Sequence, residues 1–316
     1  MAAIDPGMLA FYKELSAKTP PGSDQWPLDQ QRSAWNDLCK MFRAPRPPNL
    51  DVFDLVADGV GVRLFVPQGG GAKPGILYFH GGGWVLGGPE THDDMCAEMA
   101  AGADCAVALV DYRLAPEHPH PSQLEDALKS WHWMRRQGHK YNIDIENVLA
   151  AGDSAGGQIS VALALCLKRK NLPQLKGLAL LYPVLGNDVD TASYIRNAHA
   201  PCLTRDEMMF YLTSFLGQKP NPNWQDELAA PNLAKDVSGF PPTFITVAAH
   251  DPLHDDGVNF AEKLRGAGIA CELREEPELA HSYMRARNVS VPAKQGFDAI
   301  IEALHSLSHT GLHDGH

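Results

Sequence analysis

A serine with glycine two residues to either side, Gly152-Asp153-Ser154-Ala155-Gly156, is the stretch of this chain best suited to covalent chemistry. G-x-S-x-G is the spacing of a nucleophile elbow, a sharp strand-to-helix turn that exposes a serine hydroxyl. Such a turn strains the serine, so its neighbours two residues away need to lack side chains. Upstream, His80-Gly81-Gly82-Gly83-Trp84 offers successive backbone N–H groups with no side chains in the way, a pattern suited to holding an oxyanion. A serine hydroxyl also needs a base, and the base an acid that orients it. Asp251, Asp255 and Asp256 are the acids that follow the elbow. Asp251 comes directly after a strand-like run, which would put its carboxylate at the carboxyl edge of a sheet. Asp255 and Asp256 suit the first turn of a helix, where acidic groups are favoured. His281, His305, His309, His313 and His316 are the histidines in range. His281 stands after the last strand-like run and a loop containing Glu278, Leu279 and Ala280; the others sit on a surface-like helix or in the tail.

The elements that must position these groups read as an alternation. Short apolar runs at 75–79, 105–110, 147–151, 177–182 and 243–249 have the length and composition of buried strands. A further run at 270–275 reads as an edge strand. Between and after them, helical patterns cover 90–101, 122–137, 156–170, 255–267 and 292–307. Apolar strands alternating with helices argue for an α/β fold, with a mostly parallel sheet covered by helices on both faces. Runs at 51–57 and 60–66, joined by Asp58-Gly59, add an antiparallel hairpin. Residues 1–48 read as two helices, around 8–18 and 28–42, closed by Pro45, Pro47 and Pro48. Residues 186–240 interrupt the alternation with a polar stretch, one apolar helix near 207–216 and a Pro/Asn-rich loop. An insertion of that length is the usual form of a lid. The expected organisation is therefore N-terminal cap helices (1–48), a core in two pieces (49–185 and 241–310), a cap insertion (186–240) and a tail (311–316).

Composition narrows the function. The formal net charge is −11 across 316 residues, with no basic stripe to neutralise phosphates, so nucleic acid is not an expected partner. No run of 18 apolar residues is present and residues 1–16 lack the regions of a signal peptide, so neither a membrane span nor secretion is expected. The six cysteines form no C-x-x-C pair and several lie in apolar runs, which suits a reducing, cytoplasmic setting. His250 and His254 are four apart among acids, but Pro252 between them disfavours the regular helix a metal pair would need. No metal and no cofactor are expected.

The chain resembles the bacterial hormone-sensitive-lipase-type esterases, the family IV branch of the α/β-hydrolases. The resemblance rests on His80-Gly81-Gly82-Gly83-Trp84, the run Asp111-Tyr112-Arg113-Leu114-Ala115-Pro116-Glu117-His118, Gly152-Asp153-Ser154-Ala155-Gly156-Gly157, Leu181-Tyr182-Pro183 and Asp251-Pro252-Leu253. The Asp153 form of the elbow resembles the GDSAG group of that branch. The resemblance implies an α/β-hydrolase fold with a helical cap and a serine carboxylesterase acting on short- to medium-chain acyl esters. It implies Ser154 as nucleophile, Asp251 as acid, His281 as base, and the amides of Gly82, Gly83 and Ala155 as oxyanion hole. It also implies that His80 braces the loop and that Glu117 holds structure behind the site. Trp84, beside the loop, is expected to line the substrate pocket. Two departures stand out: His281-Ser282-Tyr283 where the family commonly has His-Gly-Phe, and His250 where it often has Tyr. Amide or N-acyl hydrolysis by the same triad is the alternative activity; a non-catalytic receptor on this fold is disfavoured by the presence of His281. Relatives often pair through the last strand. Here Glu272, Arg274, Glu275 and Glu276 on that edge could equally prevent pairing, and a homodimer stays open.

Overall fold

A computed structural model describes residues 2–20 and 22–310; the expected tail at 311–316, with His313 and His316, lies outside them. One sheet of eight strands organises the chain, in the order β1-β2-β4-β3-β5-β6-β7-β8. The strands are β1 (Leu50–Ala57), β2 (Val60–Pro67), β3 (Lys73–Phe79), β4 (Ala106–Asp111), β5 (Ile143–Asp153), β6 (Leu178–Leu181), β7 (Thr243–His250) and β8 (Cys271–Ala280). β1 and β2 form the hairpin that Asp58-Gly59 calls for, with both turn residues at positive φ (51° and 89°) as a two-residue turn of matching twist requires. β2 runs antiparallel to β4; from β4 to β8 every pairing is parallel.

Parallel strands covered on both sides should be apolar throughout, and they are: β3, β6 and most of β5 and β7 are buried. Successive side chains divide between two cores. Leu77, Phe79, Ala108, Val110, Leu180 and Ile245 face one side, and Ile76, Tyr78, Val107, Leu109, Leu181 and Phe244 the other. α4 (Ser122–Gln137), α5 (Ala155–Arg169) and α8 (His254–Gly266) cover the first face. α3 (Pro89–Ala103) and α9 (Val291–His309) cover the second, joined by Met8, Phe11 and Leu15 of α1 (Pro6–Lys18) and Leu38 of α2 (Leu28–Met41). α5 is buried from Ala155 to Leu167, which explains why its sequence is apolar all round.

Two elements differ from their expected form. The edge strand runs on to Ala280, so Glu278, Leu279 and Ala280 are strand rather than loop. Pro277 and the exposed Glu278 break the apolar pattern there, and an edge position tolerates both. The extension delivers His281 directly from a strand end. The 186–240 segment holds two helices: α6 (Ala192–Arg196), too short to register as periodicity, and α7 (Arg205–Leu216). α7 opens with a reciprocal cap in which Glu207 N–H donates to Thr204 Oγ1 (3.2 Å) and Thr204 N–H to Glu207 Oε2 (2.7 Å).

Asp256 lies in the first turn of α8, as expected, but is buried. Its Oδ2 accepts from Leu185 N–H and Gly186 N–H, both at 2.8 Å, pinning the chain where it leaves β6. Burial, with smaller contributions from Asp251 and Asp255, pushes its pKa from 3.8 up to about 7 against the pull of those two amides. As pH rises from about 4 to about 7 the unfolded chain sheds this proton while the folded chain keeps it, so stability falls across that window and levels off above it. Asp256→Asn retains an acceptor oxygen and cannot ionise. Its stability relative to wild type, followed by urea unfolding, is expected to increase between pH 4 and 8, by at most ~4 kcal/mol.

Candidate active site

The parallel strands β3, β5, β7 and β8 end at the same edge of the sheet, with β6 between β5 and β7, and the residue after each of the four ends is a candidate group: His80, Ser154, Asp251 and His281. Ser154 joins β5 to α5 at φ 54° and ψ −116°, a strained backbone for a side-chain-bearing residue. The turn is tight because the elbow packs on the end of β3. A Cβ on Gly156 would lie 1.8 Å from the Phe79 carbonyl oxygen, and one on Gly152 2.5 Å from the same atom. The turn is tied down by Ser154 N–H donating to Leu181 O (2.9 Å) and Gly157 N–H donating to Ser154 O (3.0 Å).

Ser154 Oγ is 3.0 Å from His281 Nε2, and His281 Nδ1 is 2.7 Å from Asp251 Oδ2. All three residues are buried, Asp251 completely. An aspartate facing Nδ1 can only accept, which assigns the proton to Nδ1 and leaves Nε2 a lone pair for the serine proton. The other carboxylate oxygen of Asp251 accepts from Leu253 N–H (2.8 Å), a bond made available by the turn at Pro252. Tyr182 meets the His281 ring edge-on at 5.0 Å. Asp255 and Asp256 point elsewhere, to Ser193 N–H and to the 185–186 amides. His305 and His309 stack on each other on α9, far from the serine in the hydrogen-bond network. His250 bonds Ala2 O and His254 bonds Asp255; among the described residues no group of three or more His, Cys, Asp or Glu could hold a metal ion.

The glycine loop after β3 curls so that Val85 N–H (3.1 Å) and Leu86 N–H (2.8 Å) donate to Gly82 O. The N–H groups of Gly82 and Gly83 make no hydrogen bond among the described residues, and Ala155, the first residue of α5, has an amide that no helix carbonyl can reach. All three residues lie around the serine. His80 stacks on Tyr112 (4.2 Å), whose hydroxyl donates to His80 O (2.6 Å), and burial pushes the imidazole down to about 3. Neutral at working pH, His80 holds the loop through Nδ1 and Gly81 O (2.9 Å). Glu117 forms a bidentate pair with Arg32 of α2 (2.7 and 2.8 Å), while Arg32 also donates to Val85 O. Trp84 is fully buried: its indole N–H donates to Gln158 (3.0 Å) and its ring stacks on Phe215 of α7 (4.1 Å).

Four further residues had no assigned role in the sequence. The Asp153 side chain turns away from Ser154 and accepts from Gly81 N–H and Tyr78 Oη, both at 2.9 Å. The residue before Ser154 thus fixes the glycine loop. His92 stands 3.2 Å from the same carboxylate, and Arg285 reaches His92 Nε2 at 2.9 Å. Burial would raise the Asp153 carboxyl, but His92, the Arg285 guanidinium and the Tyr78 hydroxyl hold it below the usual carboxylate range. Asn197, next to α6, donates to Ala249 O (3.1 Å) and Asp251 O (2.9 Å), clamping the loop that carries the acid. Only the placement of Asp153 inside the elbow could have signalled its part; Asn197 and Arg285 carry no local pattern.

The space in front of the serine is small. About 40 Å³ is bounded by Gly83, Trp84, Val184, Leu203, Met208 and Tyr211. A second cavity of about 520 Å³ lies between α1, α2 and α7.

Comparison with known proteins agrees with this fold. A family profile described as alpha/beta hydrolase fold matches residues 76–285. The esterase LipI of Mycobacterium tuberculosis is 35% identical over 274 residues, covering 84% of this chain and 85% of that protein. The ethyl acetate hydrolase of Pseudomonas putida is 32% identical over 315 residues, 96% of this chain and 98% of its own length. The crystal structure of a hyperthermophilic esterase from the archaeon Pyrobaculum calidifontis superposes with a TM-score of 0.88 at 25% identity, over 97% of this chain and 99% of that one.

Asp153→Ala takes the acceptor from the buried Gly81 N–H and the Tyr78 hydroxyl and removes the carboxylate that His92 faces. Each buried donor left unsatisfied costs roughly 1–3 kcal/mol. Chemical unfolding is expected to show that loss, with Asp153→Asn intermediate because it keeps one acceptor oxygen.

Proposed function

The chain belongs to the α/β-hydrolase family as one of its carboxylesterases, and we propose that Ser154, His281 and Asp251 carry its reaction on short- to medium-chain acyl esters. The observation that supports this most is the unbroken line from Ser154 Oγ through the imidazole to the Asp251 carboxylate, at 3.0 and 2.7 Å. His281 Nε2 takes the hydroxyl proton as Ser154 Oγ bonds to the ester carbonyl carbon. Charge gathers on the former carbonyl oxygen, where the amides of Gly82, Gly83 and Ala155 receive it. Each such donor contributes about 3–4 kcal/mol to the barrier reduction. His281 then returns the proton to the departing alkoxide, and the acyl group stays on Ser154. Water, losing its proton to the same imidazole, releases the acid and regenerates the hydroxyl.

Residues 1–48 and 186–240 form the cap over a core of 49–185 and 241–310 in this reading. Its support is that α1, α2 and α7 line the cavities in front of the serine. All six cysteines are free, which favours a reducing, cytoplasmic setting. Among the described residues no helix is long and apolar enough to cross a membrane.

A series of p-nitrophenyl esters from acetate to dodecanoate checks the activity. Wild type is expected to hydrolyse the shorter members, and Ser154→Ala to lose about a million-fold in kcat. Asp251→Asn is expected to lose about ten-thousand-fold while Asp256→Asn stays near wild type. Equal rates for Asp251→Asn and wild type would remove Asp251 from the relay.

A further inference from the structure

The cavity that holds the serine and the cavity behind it differ in size and in the residues that line them. The inner one measures about 40 Å³. A water needs roughly 10–15 Å³ on such a measure, so there is room for about three atoms of that size. Its walls do not yield easily. Trp84 is held by Gln158 and stacked flat on Phe215, and Leu203 and Met208 are buried behind it. The outer cavity, about 520 Å³, is large enough for a drug-sized group. Five aromatic rings line it: Tyr12, Trp26, Trp35, Phe210 and Tyr211. Its only charged lining residues among those described are Asp206 and Glu207; no Lys, Arg or His faces it.

The two spaces meet at Trp35, Leu86, Cys202 and Tyr211, which line both. Tyr211 is the partition. Its ring sits so close to Gly83 that a Cβ there would lie 2.3 Å from it, so the oxyanion loop and the ring of α7 share one contact surface. The reaction itself says which part of the ester goes where. The acyl group must stay on Ser154 while water enters, whereas the alcohol must leave before that step. The small inner space suits the part that stays, and the wide chamber the part that departs.

Resting on the esterase reading above, we propose that this enzyme is selective for esters of two- or three-carbon acids with bulky aromatic alcohols that are neutral or cationic. The chamber between α1, α2 and α7 holds the alcohol, and Tyr211 limits the acyl chain. Aromatic faces attract a cation, and two carboxylates with no cationic side chain among the described lining residues repel an anion.

Three acetates of one phenol scaffold test the charge selection: 4-propylphenyl, 4-(2-carboxyethyl)phenyl and 4-(2-trimethylammonioethyl)phenyl acetate. Two methylenes insulate the charge from the leaving oxygen, so intrinsic reactivity stays matched. The cationic ester is expected to exceed the anionic one at least ten-fold in kcat/KM, chiefly through KM. The ratio is expected to shrink towards one in 0.5 M NaCl and in Asp206→Asn/Glu207→Gln. Asp206→Asn alone, at an exposed position, is expected to give part of that change. On the acyl side, wild type is expected to hydrolyse 4-propylphenyl octanoate at under a hundredth of the acetate rate, and Tyr211→Ala to gain at least ten-fold on the octanoate. Equal kcat/KM for the three acetates, or a ratio untouched by salt and by the double variant, would overturn the charge selection. An octanoate rate unchanged in Tyr211→Ala would overturn the gate. If no ester of either series is hydrolysed, the esterase reading itself fails and takes this inference with it.

Discussion

The site depends on one close approach, that of the serine turn to the end of β3. The Phe79 carbonyl leaves no space for a side chain at residue 152 or 156, so β5 can deliver Ser154 into the gap only through glycine at both places. The same approach brings Asp153 within 2.9 Å of the Gly81 amide. The serine turn and the glycine loop are thereby one rigid piece, joined by a bond between the residue before the serine and the first glycine of the loop. A site whose donors must be aimed at an oxygen that carries charge only briefly needs this kind of fixed relation. The strain at Ser154 is sustained because neighbours over-determine its backbone: Leu181 accepts its N–H, and its carbonyl accepts from Gly157 and Val184.

Behind the elbow a buried chain of polar groups runs from Asp153 through His92 to Arg285, whose guanidinium lies 4.9 Å over the Trp35 ring of α2. This chain of groups connects the glycine loop to α2, which carries Trp35. The insertion is tied in the same way. Asn197 holds the carbonyls of Ala249 and Asp251, and Ser193 Oγ donates to Pro252 O (2.6 Å), so the segment above the site also shapes the turn that presents the acid. The 186–240 segment and the loop that carries Asp251 are therefore coupled through short polar contacts.

Much of this was legible in the sequence for local reasons. An elbow needs glycine at fixed offsets, an oxyanion loop needs consecutive glycines, and buried parallel strands need unbroken apolar runs; each is a pattern a few residues long. The hairpin, the six later strands and the order of Ser154, Asp251 and His281 follow from such patterns. What escaped depends on residues far apart. β8 extends through Pro277 to Ala280 by pairing with β7, an extension that periodicity does not carry. Asp153 reads as a spacer until Gly81 is seen 72 residues upstream on the next strand end. The pairing of β2 with β4, the clamp at Asn197 and the split between the inner and outer cavities all arise only once the sheet is assembled.

The central claim is that Ser154 is the one hydroxyl made nucleophilic by His281 and Asp251. Reaction with a p-nitrophenyl alkylphosphonate, followed by peptide mass mapping, tests it most directly, because the phosphonate traps whichever residue attacks. The account predicts a burst of one equivalent of nitrophenol per chain and a single adduct on the peptide that contains Ser154. An adduct on another residue, or no adduct from protein that still hydrolyses esters, would contradict it.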